Sequence, residues 1–178
     1  MSRIIRRQGL IIIHIVLTLL TLSACSSSAP SGGETGASGS LSPIASADCE
    51  ALRAALSQRL GAEVAQANAP FTDSIKGQSG TACQLTAKGT GKELGSFVDV
   101  ADKIRTLLAE QGWTEDHGYI ADGPTGTATG FRKDNALAVM SVGWQPAPEV
   151  QCPADQPISA CEVAPEQQIF DISLSLAQ

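Results

Sequence analysis

The feature that most limits how this chain can fold is a short run near its C-terminus, Phe170-Asp-Ile-Ser-Leu-Ser-Leu176. Large apolar residues take every second position, and Asp171, Ser173 and Ser175 fill the gaps. Successive side chains of a strand point to opposite faces, so this alternation predicts a strand with one dry and one wet face. One-sided burial belongs to antiparallel sheets, because parallel sheets are covered on both sides. The rest of the chain must then supply whatever covers the apolar face.

Two amphipathic helices meet that need. After Asp48, a residue suited to an N-cap, Leu52, Ala55, Leu56 and Leu60 recur at helical spacing, and Gly61 is a natural stop. The spacing predicts a helix over 49–60. Ser96-x-x-Asp99 has the form of a capping box, with Asp where Glu or Gln is usual. Phe97, Val100, Ala101, Ile104, Leu107 and Leu108 follow at three- and four-residue steps. Gly112 suits the left-handed position after a helix, which would bring Trp113 against Leu108 in a Schellman ending.

Further strands are expected over 62–69 and 81–88, joined by the turn-rich 73–80, and over 125–131 and 136–144, joined by the polar tip 132–135. Glu115 to Tyr119 reads as a solvated turn after the second helix. The order is helix, hairpin, helix, hairpin, strand. That is an α+β fold, a two-layer sandwich with two helices packed on one face of a mainly antiparallel sheet.

Cys49, Cys83, Cys152 and Cys161 form an even set in this region. Four cysteines allow three pairings, and Cys49–Cys83 with Cys152–Cys161 is favoured. The second pair closes a single Pro-containing segment on itself. Loop entropy assigns such bonds about 2.7 kcal/mol for the short loop and about 3.8 kcal/mol for the long one. Disulfides imply an oxidising, extracytoplasmic compartment. No Cys-x-x-Cys knuckle and no neighbouring histidine accompanies them, so no metal is expected.

The N-terminus carries an address. Arg3, Arg6 and Arg7 precede an almost wholly apolar run from Gly9 to Leu22. That run is shorter than the about 17 to 25 residues of a transmembrane helix and fits the core of a secretory signal. It ends in Leu22-Ser23-Ala24-Cys25, which resembles the lipobox of bacterial lipoproteins at every position. The resemblance implies a signal peptide over 1–24, removed by signal peptidase II. It also implies a diacylglyceryl thioether on Cys25 and frequent acylation, by palmitate for instance, of the new amine. Cys25 is thus the expected lipid-attachment site and the membrane the expected first partner. Ser26 stands where Asp favours inner-membrane retention in the enterobacterial version of this family, which points to the outer membrane where there is one. Small envelope lipoproteins with helix-on-sheet domains, some of them serving outer-membrane assembly, are similar in element order.

Residues 25–46 are expected to form a lipidated end and a flexible Ser/Gly-rich tether with a root-mean-square reach of roughly 25 Å. Residues 47–178 are expected to form one disulfide-stapled domain. All charges before Cys25 are the three arginines, which leaves nine basic against eighteen acidic side chains, a formal balance of −9. An acidic surface without a basic stripe argues against nucleic acid and against docking onto anionic headgroups.

Chemistry is sparse. His117 is the only histidine after the signal, and no Gly-x-Ser-x-Gly elbow offers a nucleophile for it. Glu115, Asp116 and His117 are adjacent, so a regular element cannot aim all three at one metal. Gly123 to Gly130 resembles a phosphate-binding loop only in its glycines and lacks the Gly-Lys-[Ser/Thr] end. The sequence therefore predicts no catalytic residue, no cofactor and no metal. The leading expectation is a lipid-anchored, non-catalytic interaction or accessory protein of the cell envelope, acting on a protein partner. The alternatives are a binder of a small or apolar ligand walled by Phe97, Trp113 and Trp144, and a hydrolase using His117.

Overall fold

A computed structural model describes residues 40–153 and 155–178. Cys25 and the segment before Ser40 lie outside the described residues. Six strands form one fully antiparallel sheet in the order β1-β2-β6-β5-β4-β3. They are β1 Val64–Thr72, β2 Ser79–Thr90, β3 Thr114–Gly123, β4 Gly126–Lys133, β5 Ala136–Pro146 and β6 Gln168–Ala177. Two long helices, α1 Ser46–Leu60 and α3 Phe97–Glu110, flank the single turn α2 Gly91–Leu94. Short 3-10 turns occupy Ile158–Ala160 and Pro165–Gln167. The architecture is α+β.

β6 sits in the middle of the sheet, and its alternation sets the layer. Phe170, Ile172, Leu174 and Leu176 are buried, Asp171 is exposed, and Ser173 and Ser175 are half-buried on the other face. Register carries the pattern sideways. Leu174 lies opposite Leu85 of β2 and Met140 of β5, and Leu176 lies opposite Cys83 and Ala138. Both long helices bury one stripe in this row: Leu52, Leu56 and Leu60 of α1, and Val100, Ile104, Leu107 and Leu108 of α3. α1 covers the β1–β2 side and α3 the β3–β5 side.

The helix ends follow local chemistry. Ser96 Oγ accepts the Asp99 N–H at 3.1 Å, and the Asp99 carboxylate accepts the Ser96 N–H at 3.1 Å, completing the capping box. After α3, Trp113 N–H donates to Leu108 C=O at 2.9 Å and Gly112 N–H to Ala109 C=O at 3.0 Å, the paired bonds of a Schellman motif. α1 starts earlier than its sequence predicts. Its N-cap is Ala45, not Asp48, and Asp48 lies in the first turn, where a carboxylate favours the positive end of the helix dipole. The helix is extended upstream because Ile44 is buried in the core and holds the entering chain there. A second capping box, Thr90 with Glu93, starts α2.

Two further differences concern the chain's path. Residues 115–119 are strand, not turn: Thr114, Glu115 and Asp116 pair with Arg132, Phe131 and Gly130 of β4. The register then shifts between Asp116 and Ala121, and this bulge breaks the alternation that would mark a strand. The sheet also engages the chain before residue 47. Leu41 exchanges backbone bonds with Ser79 and Thr81, and Ser42 does so with Gln178. A Cβ at Gly80 would lie 2.0 Å from the Leu41 carbonyl oxygen, so this crossing requires glycine.

Candidate functional site

The favoured cysteine pairing is present. Cys49 is bonded to Cys83 and ties the first turn of α1 to β2, with Cα atoms 6.4 Å apart. Cys152 is bonded to Cys161 and closes the loop between β5 and β6, with Cα atoms 5.5 Å apart. The first bond lies in the core; the second is half-buried.

The other named residues are scattered. His117 is exposed on the bulge of β3. Phe97 and Trp144 are half-buried against the core, and Trp113 is buried in it. These aromatics do not wall one cavity. Trp113 borders a cleft of about 190 Å³ between α1, the end of α3 and the β4–β5 turn. Trp144 borders a separate open groove of about 380 Å³ over β4 and β5. The Trp113 cleft is smaller than the roughly 300 Å³ at which ligand pockets begin. Among the described residues, no three His, Cys, Asp or Glu side chains converge as a metal site.

The densest polar chemistry sits elsewhere, on the sheet face that the helices leave open. Asp73 follows β1 at the start of the hairpin tip and is only 1% exposed. Its Oδ1 accepts the backbone N–H of Ile75 at 2.9 Å and of Lys76 at 3.0 Å. The Tyr119 hydroxyl lies 2.8 Å from both carboxylate oxygens, as a donor. Arg132 donates from Nη2 to the same hydroxyl at 2.6 Å and from Nε to Asp116 Oδ2 at 3.2 Å. Its Nη2 is 3.8 Å from Asp73 Oδ2.

β1 and β3 are opposite edges of the sheet, so the contact between Asp73 and Tyr119 means that the β1–β2 tip arches over the uncovered face. Leu137, Ala177 and Ala82 lie beneath, all buried yet facing away from the helices. Tyr119 lies across β4 at Gly130, where a Cβ would come within 2.6 Å of the tyrosine Cβ. Glycine there is the space the ring needs.

The electrostatics fit a closed set. Burial pushes the Asp73 carboxyl up, but the Lys76 N–H, the Tyr119 hydroxyl, the Ile75 N–H and Arg132 together bring it below its ordinary value. Burial, then the bond to Asp73, pushes the Tyr119 hydroxyl up to about 12, so it remains a donor at neutral pH. The Gly118 N–H and then Arg132 hold Asp116 below the usual carboxylate range. Each charge is met by donors or acceptors of the same cluster. Chemically it is a clasp: it fixes one hairpin tip to the opposite edge strand. Its partners lie 46 residues apart, and the local signal was Gly130 inside a strand, a mark of close approach.

No protein-family model matches the chain, and no curated protein or solved structure matches it.

Proposed function

We propose that this protein is a lipid-anchored, non-catalytic interaction or accessory protein of the bacterial cell envelope, with its folded domain on the extracytoplasmic side. The observation that carries the reading is Leu22-Ser-Ala-Cys25 behind its short apolar run. Two disulfides in one small domain support it, because such bonds persist in oxidising compartments. Among the described residues no helix is long and apolar enough to cross a membrane. One acyl chain binds a bilayer marginally and two or three hold it, so Cys25 would be the attachment. Exposed His117 and the self-satisfied Asp73 cluster give no reason to add turnover.

The test uses the full chain in a bacterial host fed a clickable palmitate. The expected result is label and membrane retention in the parent, both abolished in Cys25→Ser. Equal membrane retention by the unlabelled variant would refute the anchor. Crosslinking of intact cells, followed by purification, should then return one reproducible envelope protein; a monomer without a partner would refute the accessory role.

A further inference from the structure

The folded domain has a defined end at which the tether enters. Leu41 is bonded between Ser79 and Thr81, at the base of the β1–β2 tip. In the sequence about 15 residues separate it from Cys25, which bounds the span between them at roughly 55 Å. Whatever stands at this end of the sheet is therefore held near the bilayer if Cys25 carries lipid.

The hairpin tip there is sparsely charged for so acidic a chain, although Asp48 and Asp134 are exposed at the same end. From Val64 to Ala87 the charged residues are Asp73 and Lys76 alone. Asp73 is buried and used by the clasp, so Lys76 is the exposed charge of the tip itself; Lys88, also exposed, lies at the far end of β2, and Lys76 is within electrostatic reach of Asp116. Beside Lys76, Ile75 is 60% exposed, the most open large hydrophobic side chain among the described residues. Ile120, next to the tyrosine that grips Asp73, is also exposed. The tip is not slack: Asp73 accepts both the Ile75 and the Lys76 N–H, and Tyr119 and Arg132 hold Asp73. The clasp thus presents an apolar residue and an ammonium in a fixed turn. Such a pair suits a phospholipid interface, where the apolar side chain enters the acyl boundary and the lysine meets phosphate.

We propose that the β1–β2 tip, residues 74–78, is a membrane-contact element that seats the domain on the phospholipid surface bearing its anchor, with Ile75 inserted and Lys76 at the phosphates. This rests on the anchor at Cys25. It narrows the expectation that the acidic surface argues against docking onto anionic headgroups, because between Val64 and Ala87 the one acid and the one base balance.

The test takes the full lipidated chain in phosphatidylcholine vesicles with brominated acyl chains and compares Ile75→Trp with Ile158→Trp. Ile158 is exposed in the β5–β6 loop, at the end of the sheet away from Leu41. Expected is a blue-shifted extra emission from Ile75→Trp, quenched by about half or more, and an Ile158→Trp signal that bromine leaves unchanged. In the unsubstituted protein, amide exchange over 74–78 should slow several-fold on vesicles. A chain that floats with vesicles while both added tryptophans stay equally unquenched and exchange is unaltered overturns the tip and leaves the anchor standing, as it would if the tip met a protein instead. A chain that does not float overturns the anchor and this inference with it.

Discussion

The two faces of the sheet are held by different physics. The helix-covered face is an apolar core in which Phe170, Leu85, Leu174, Met140, Ile104 and Leu108 are essentially without solvent contact. The open face is mostly small and polar, with Thr86, Ser173, Ser175 and Ser141 lined across it, and is closed at one end by Asp73, Tyr119 and Arg132. Apolar burial is non-directional and grows with area, so the first face tolerates a shift in any one contact but not the loss of volume. The clasp is directional. It depends on a few donors meeting a few acceptors, and leaving one unpaired costs the desolvation of that group. The first face therefore sets whether the domain folds, and the second sets where one hairpin points.

The largest expected effect tests the apolar side. Leu174 is fully buried at the centre of the sheet, opposite Leu85 and Met140. Leu174→Ala should cost about 2–5 kcal/mol by urea unfolding, from lost transfer energy and the cavity left behind. A cost below about 1 kcal/mol would mean that the helices collapse into the gap and that the layer is not tightly packed.

These two faces were not equally legible in the sequence. The covered face is written in local signals: the period of two in Phe170–Leu176, the Ser96–Asp99 box, and the Gly112–Trp113 ending each predict the geometry they form. The cysteine spacing also pointed to the bonds that exist. The clasp has no such signal. Asp73 reads as a turn residue and Tyr119 as part of a solvated stretch, and only the long-range path of the chain brings them together. The bulge in β3 hides that strand for the same reason, since the register shift cancels its period. α1 starts upstream of Asp48, a good local cap, because buried Ile44 decides the entry. Cys25 is legible only as a resemblance and lies outside the described residues.

A smaller effect should sharpen the polar side. Asp73→Asn removes the charge that faces Arg132 and one acceptor of the Tyr119 hydroxyl. It should cost about 1–3 kcal/mol at neutral pH, through a buried network left incomplete. The pH dependence carries the sign. The folded pKa of Asp73 lies below its ordinary 3.8, so its contribution is present above that value and is lost as pH falls through the lower folded pKa. Tyr119 is the mirror case. Its folded pKa is raised to about 12, so its contribution is full below pH 10 and is lost as pH rises through about 12. Unfolding midpoints measured across pH should therefore show a shallower acid limb in Asp73→Asn and a shallower alkaline limb in Tyr119→Phe. Parallel curves for parent and variants would show that the clasp does not contribute to folding.

The smallest effect marks the boundary of the argument, because charge on the open face matters only where water is excluded. Lys88 Nζ lies 3.0 Å from Asp171 Oδ1 across β2 and β6, a distance that would serve a buried pair well. Both side chains are more than half exposed, at 77% and 54%. Water then screens the attraction, and holding two mobile side chains in one geometry costs entropy that offsets most of the gain. Lys88→Ala should change unfolding free energy by less than about 0.5 kcal/mol, with a further decrease in high salt. The contrast with Asp73 lies in exposure, not in distance: the Arg132–Asp73 approach is longer, at 3.8 Å, yet its carboxylate is 1% exposed and also held by three hydrogen-bond donors. A cost for Lys88→Ala equal to that of Asp73→Asn would mean that the uncovered face is drier than its side chains imply, and that the division between a packed face and a clasped one does not hold.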